Sequence, residues 1–144
     1  MVDLARAGGP ANVLVVANET VLGEQLLARI RERAAQGPAS FLLICPQSDV
    51  SVSAHPDAER RLRRALAALR GSGIDAHGQI AHPDPYTAAM QTMRDERVDE
   101  IIISTFPGEN RSTWLRKDVV SRLRATGVPV EHVVAESEPA AVAS

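Results

Sequence analysis

Small polar and basic residues follow the most apolar stretch of this 144-residue chain, and their types suit the binding of an anion. Residues 98–104 read VDEIIIS, and the sequence TFPGENRS follows directly. Hydroxyls and backbone N–H groups in such a loop, placed ahead of a helix, can surround a phosphate group. The structural alternative is an ordinary strand-to-helix turn with a capped helix and a solvated arginine. The candidate ligand contacts in this stretch are Ser104, Thr105, Gly108, Arg111 and Ser112.

A second set of candidates lies at the ends of two earlier apolar runs. Ala17, Asn18 and Thr20 follow the run NVLVV, and Asn18 and Thr20 either contact a ribose or base edge or cap the next helix. Cys45 ends the run SFLLIC, directly before Pro46. We interpret Cys45 as a buried thiol rather than a nucleophile, because no histidine accompanies it locally. Its place at a strand end also makes it a candidate ligand contact.

Patterns that would indicate catalysis or metal binding are not found in the sequence. It has no Ser-His-Asp order, no HExxH and no paired carboxylates, and its four histidines do not have metal-ligand spacing. The basic run ERRLRR at 59–64 is interpreted as a solvated helix face beside an apolar leucine stripe. The sequence therefore favours binding over turnover and leaves enzymatic activity undecided.

These candidates must be positioned by strands and helices that alternate along the chain. Apolar runs predict strands, and stripes at helical spacing predict the helices between them. The third helix is expected to turn Tyr86, Met90 and Met93 inward. The predicted strands are 12–18, 40–45, 74–81, 98–104 and 128–134, and the predicted helices are 19–36, 57–70, 84–97 and 113–126.

This βαβαβαβαβ order predicts an α/β fold with an open, parallel, five-stranded sheet and helices on both faces. Right-handed crossovers leave two strand orders open, 3-2-1-4-5 and 2-1-3-4-5. In either order a ligand is expected at the carboxyl ends of strands 1 and 4. We predict a single domain at 11–135, a flexible segment at 1–10 and a disordered, Ala-rich acidic tail at 136–144.

Composition excludes several classes of partner. The net charge is −2 and no basic stripe is interleaved with aromatic residues, so nucleic acid is not an expected partner. No apolar run approaches the ~20 residues of a membrane span, and no signal-peptide core precedes the first strand. The single cysteine precludes an intramolecular disulfide. We expect a cytoplasmic protein.

The chain from 12 to 134 resembles the universal stress protein family and its adenine nucleotide α-hydrolase-like relatives. The resemblance rests on the five-strand pattern and on NVLVVAN, DEIIIST and GVPVEHVV at the first, fourth and last strands. It implies the 3-2-1-4-5 order, a stress-response role, and dimerisation through the last strand. In ATP-binding members a Gly-x2-Gly-x9-Gly-Ser/Thr signature follows strand 4, and an Asp ends strand 1.

This chain departs from that signature at each position. Ser104 and Pro107 occupy the positions of the first two glycines of the signature, and Gly108 comes one residue too late. The closing Gly-Ser/Thr pair is replaced by Lys117-Asp118, and the Asp at the end of strand 1 is replaced by Asn18. Pro107 offers no N–H, and Asp118 is a carboxylate where a phosphate would lie. The resemblance thus implies that ATP or another adenine nucleotide is a candidate ligand, although the ATP-binding signature is degenerate in this chain.

Two functions follow as expectations. The first is a universal-stress-protein-like module that binds a nucleotide or other small anionic ligand at the strand-1/strand-4 cleft without catalysis. The alternative is a homodimeric scaffold or regulator of the same fold that has lost nucleotide binding. Pro129 suits an edge or strand-start position, so the last strand can pair with a second copy. The predicted interface includes Val130, Val133 and Val134.

Overall fold

The computed structural model describes residues 10–17, 23–46, 54–81, 84–105 and 119–134. Within them, strands and helices alternate as the apolar periodicity predicts. The elements are β1 (Ala11–Val16), α1 (Glu24–Gln36), β2 (Ala39–Pro46), α2 (Ala54–Gly71), β3 (Asp75–Ala81), α3 (Pro85–Asp95), β4 (Glu100–Thr105), α4 (Val119–Arg124) and β5 (Val130–Val134).

The five strands form one parallel sheet in the order β3-β2-β1-β4-β5. This confirms the α/β class and, of the two orders that the sequence left open, selects 3-2-1-4-5. β1 lies in the centre because its run ANVLVV is apolar on both sides, which suits a strand that helices cover twice. β3, with the polar sequence DAHGQIA, lies at one edge of the sheet.

Alternating side chains divide the core between the two faces of the sheet. Val13, Val15 and Ala17 point to one face, which α1 and α2 cover and which we call the first face. Leu14 and Val16 point to the other, the second face, which α3 and α4 cover. Helices that follow β1 and β4 thus lie on opposite faces, and the sheet reverses its winding between these two neighbouring strands.

Two of the three residues predicted to face inward on the third helix pack against the core, but smaller residues are the most buried ones. Ala88, Ala89 and Thr92 are fully buried, whereas Tyr86 and Met93 only partly cover the second-face core. Small residues let the α3 backbone lie close to the sheet, and the larger side chains then fill the flanks of the contact. The Arg122 guanidinium of α4 stacks on the Tyr86 ring, 3.8 Å from its centroid.

A close approach between α2 and β3 fixes the position of α2 on the first face. An added Cβ at Gly78 would lie 2.8 Å from Cδ1 of Leu62 and 3.2 Å from the carbonyl oxygen of Leu43. Gly78 pairs with Leu43 in the neighbouring strand, so Leu62 sits over the middle of both strands. The Arg70 Nε donates to the Ala76 carbonyl oxygen at 2.8 Å and holds the other end of the helix.

Two arginines of α1 reach across the first face to β4 and β5. Arg33 makes a two-pronged pair with Glu100 of β4, at 2.8 and 2.7 Å, and the Arg29 Nε lies 2.8 and 2.7 Å from both Glu131 oxygens of β5. Such geometry orients a helix better than a single contact does. No helix in the described part of the chain is both long and apolar enough to cross a membrane.

Candidate functional site

The carboxyl ends of the three central strands bring together candidates from three separate stretches of sequence. Val16 of β1 pairs with Ile44 of β2 and with Ile103 of β4. The next residues along these strands, Ala17, Cys45 and Ser104, therefore lie at one level of the sheet. The Ala17 N–H donates to the Ile44 carbonyl oxygen at 3.1 Å, which extends the pairing by one step.

These three side chains are core residues at the base of the predicted cleft. Ala17, Cys45 and Ser104 are 1%, 2% and 1% exposed, respectively. Ala17 and Cys45 belong to the first-face core, and Ser104, two residues after Ile102, is on the same side of β4. A ligand at this edge would rest on them rather than enclose them.

Of the remaining candidates, one lies within the described residues. Thr105 is the last residue of β4 and pairs with Val134 of β5. The candidates Asn18, Thr20, Gly108, Arg111 and Ser112 lie outside the described residues.

Cys45 is a buried thiol, as its sequence context indicated. Burial raises the pKa of the Cys45 thiol from 9.0 to about 12, and the positive charge of Arg61 acts in the opposite direction. A thiol with such a pKa carries almost no thiolate at neutral pH, so it is a poor nucleophile. Its role at this edge is to pack.

Arg61 is a residue of this edge that the sequence interpretation missed. It belongs to α2, one residue before Leu62, and α2 runs antiparallel to the strands. Because Leu62 covers Leu43 and Gly78, Arg61 lies over the more carboxyl part of β2, where its charge acts on Cys45. Its Nε is buried and, among the described residues, has no hydrogen-bond partner.

The sequence carries a signal that could have separated Arg61 from its neighbours. Arg61, Ala65 and Leu69 are spaced by four, which puts them on one stripe of a helix. Ala65 and Leu69 are fully buried, while Arg63 and Arg64 are exposed. The run ERRLRR is thus a solvated face, as interpreted, apart from the one arginine that borders the apolar stripe.

Metal binding finds no support in the described ranges. No group of three His, Cys, Asp or Glu side chains there is arranged to hold an ion. The His77 imidazole lies on an edge strand, with its Nε2 3.1 Å from an Asp75 oxygen.

Comparisons with known proteins add a remote likeness in fold. No protein-family model and no curated protein matches the chain. Among solved structures it is similar to the crystal structure of the lipopolysaccharide core biosynthesis protein from Thermoplasma volcanium GSS1. That chain is 15% identical with a TM-score of 0.47, and the match covers 88% of this chain and 97% of that one. A likeness at this level says nothing about ligand or activity.

Proposed function

We propose that this protein is a universal-stress-protein-like module that binds a nucleotide or another small anionic ligand at the carboxyl ends of β1 and β4. The sheet geometry supports this location. In an open α/β sheet, a crevice forms where the helices after two adjacent strands depart to opposite faces. Here α1 follows β1 onto the first face and α4 follows β4 onto the second.

The buried Nε of Arg61 is the observation that carries the anionic character of the ligand. Buried guanidinium nitrogens normally have hydrogen-bond partners, because an unmatched buried donor costs about 1–3 kcal/mol. Arg61 instead lies beside Cys45 with its Nε unmatched in the described part of the chain. A phosphate or carboxylate at this edge would supply the missing acceptor and would suit the planar guanidinium.

In this proposal the protein binds its ligand without turnover and acts in the cytoplasm. The family resemblance implies a role in the stress response. The sequence contains no catalytic constellation, and Asn18 occupies the position of the acid that would assist a metal in the family. An adenine nucleotide is the first ligand to test, although Pro107 and Asp118 replace signature residues.

Two measurements on the purified protein test this function. The protein is denatured and the released small molecules are identified by mass spectrometry, and thermal unfolding is followed with ATP, ADP, AMP and cyclic AMP. A ligand at one hundred times its dissociation constant stabilises by about 2.7 kcal/mol, which is readily measured. A released anion or a shift with one of these nucleotides supports the proposal. No released anion and no shift would remove its nucleotide form.

A second candidate function, a homodimeric scaffold or regulator, is favoured by the exposed edge of β5. Within the described residues β5 pairs on one side only, with β4, and Val134 is 48% exposed. Free strand edges with exposed apolar side chains can pair across a two-fold axis. The proposed interface includes Val130, Val133 and Val134. Light scattering at micromolar concentration is expected to give a dimer, and a monomer would exclude this function.

A further inference from the structure

A cavity lies at the opposite end of the sheet from the proposed anion site. It is bounded by the starts of β1 and β2, by His77 of β3 and by the residues that follow α3, and its volume is about 180 Å³. An apolar protein cavity of about 150 Å³ is large enough to hold benzene. This cavity therefore accommodates a molecule with one six-membered ring.

The inner wall of this cavity is apolar. Leu14 of β1 and Leu42 of β2 pair with each other and point to the second face, and Val98 packs against the same core. Leu42 and Val98 are only partly buried. A compact apolar group would cover this exposed part of the second-face core.

The basic side chains at the rim of the cavity already have acidic partners. The His77 Nε2 lies 3.1 Å from Asp75, and the Arg97 guanidinium lies 3.1 and 3.3 Å from the two oxygens of Asp99. Glu96 also lines the cavity, and its carboxylate pairs with no residue in the described ranges. The rim thus carries an excess of negative charge.

The end of α3 adds to this negative potential. The last turn of α3 runs from Thr92 to Asp95, and Thr92 and Glu96 both line the cavity. The carboxyl terminus of a helix carries about half a negative charge from its free carbonyl groups. Both the helix terminus and the Glu96 carboxylate therefore favour a positively charged ligand.

We propose that this cavity is a second binding site, for a small organic cation in which an ammonium group is attached to a compact apolar body. The apolar body packs on Leu14, Leu42 and Val98. The ammonium group lies at the rim, where Glu96 and the end of α3 face it. This site takes a cation and is separate from the anion site at the carboxyl ends of the strands.

The test uses three probes of equal size and different charge, benzylamine, benzyl alcohol and benzoate, titrated into the protein and followed by amide NMR. Benzylamine is expected to shift the resonances of Asn12, Leu42 and Val98, and to bind about tenfold more tightly than the alcohol. Tighter binding of benzoate would overturn the charge assignment. No shift of these resonances with any probe at millimolar concentration would overturn the site.

Two variants and one matched control assign the binding to this cavity. Glu96→Gln is expected to weaken benzylamine binding by about tenfold, while Asp95→Asn, one residue earlier and outside the cavity lining, leaves it within about twofold. Ser40→Leu fills the cavity from the start of β2 and is expected to abolish binding of all three probes. Equal losses in Glu96→Gln and Asp95→Asn would overturn the proposal, whether or not Ser40→Leu folds.

Discussion

The two ends of the strands differ in how their polar groups are matched. At the amino end, the Asn12 N–H donates to Asp99 at 2.8 Å, the Asn12 amide donates to the Arg97 carbonyl at 3.0 Å, and the Asp99 N–H donates to the Asn12 carbonyl at 2.8 Å. At the carboxyl end, Arg61 keeps a buried Nε without an acceptor in the described part of the chain. The amino end is closed by internal hydrogen bonds, and the carboxyl end holds an arginine whose buried Nε has no acceptor in the described part of the chain.

The difference separates polar residues that stabilise the fold from one that we propose binds a ligand. Asp99 stabilises the fold, since its removal would leave the Asn12 N–H and the Arg97 guanidinium without an acceptor. Arg61 is expected to lower the stability of the fold, because its Nε is buried without a hydrogen-bond acceptor in the described part of the chain. Unmatched groups of this kind are expected at binding sites, where stability is lost in exchange for function.

The largest expected effect is on the rate at which the Cys45 thiol, at the carboxyl end of β2, reacts with an alkylating reagent. Alkylation of Cys45 in the native protein at pH 8 is expected to be at least about a hundredfold slower than in urea, because its thiol is buried and protonated. With rising pH, the rate in urea should level off above the ordinary pKa of 9.0, while the native rate keeps rising towards pH 12. Equal native and unfolded rates would mean that the end of β2 is open to solvent.

The next effect concerns the amino end. Asp99→Ala is expected to lower the free energy of unfolding by about 1–3 kcal/mol, because the Asn12 N–H and the Arg97 guanidinium lose their acceptor. Urea denaturation measures it, with Asp95→Ala, an exposed acid at the end of α3, as the matched control. A loss for Asp99→Ala no larger than for the control would contradict a closed amino end.

The fold is the part of this account that the sequence predicted best. Apolar runs and helical stripes locate the described elements to within a few residues, since each pattern depends on the local period. They left two strand orders open, because local patterns do not encode which strands are neighbours. Of the residues predicted to face inward on α3, Tyr86 and Met93 pack against the second-face core, whereas Met90 is not part of that contact. The most buried positions are the small Ala88 and Ala89, which permit closer packing than larger residues do.

The candidate site was predicted only at the level of the sheet edge. Ala17, Cys45 and Ser104 lie together because parallel strands end at one edge. Arg61 was missed, because its position above Cys45 depends on how far α2 slides along the sheet, and the Gly78–Leu62 contact sets that distance. No local pattern reports such a long-range contact.

A smaller change in the free energy of unfolding is expected when Arg61, rather than Asp99, is substituted. Arg61→Met keeps a long apolar stem and removes the guanidinium, so the ligand-free protein is expected to be unchanged or up to about 1 kcal/mol more stable. Arg63→Met, on the exposed side of the same helix, is expected to stay within about 0.5 kcal/mol. A loss of about 2 kcal/mol for Arg61→Met in urea denaturation would mean that the fold itself uses this cation.

The smallest effect concerns His132, which lies beside Ile103 near the carboxyl end. Burial, and then the positive charge of Arg124, lower the pKa of the His132 imidazole from 6.5. A lowered pKa means that the unfolded chain binds the proton first, so stability should fall as the pH drops below 6.5. Comparing urea denaturation of His132→Gln and wild type at about pH 8 and about pH 5 should show a smaller loss in the variant. Identical losses would contradict this assignment.

The binding of an anion at the unmatched Arg61 is the central claim, and calorimetric titration tests it most directly. The anion released from the purified protein, or ATP if none is released, is titrated into wild type, Arg61→Gln and Arg63→Gln. We predict that Arg61→Gln raises Kd at least about tenfold, equivalent to about 1.4 kcal/mol, and that Arg63→Gln leaves it within about twofold. Binding that both variants leave unchanged would contradict the role of Arg61 while keeping the binding function. No binding to wild type would contradict both.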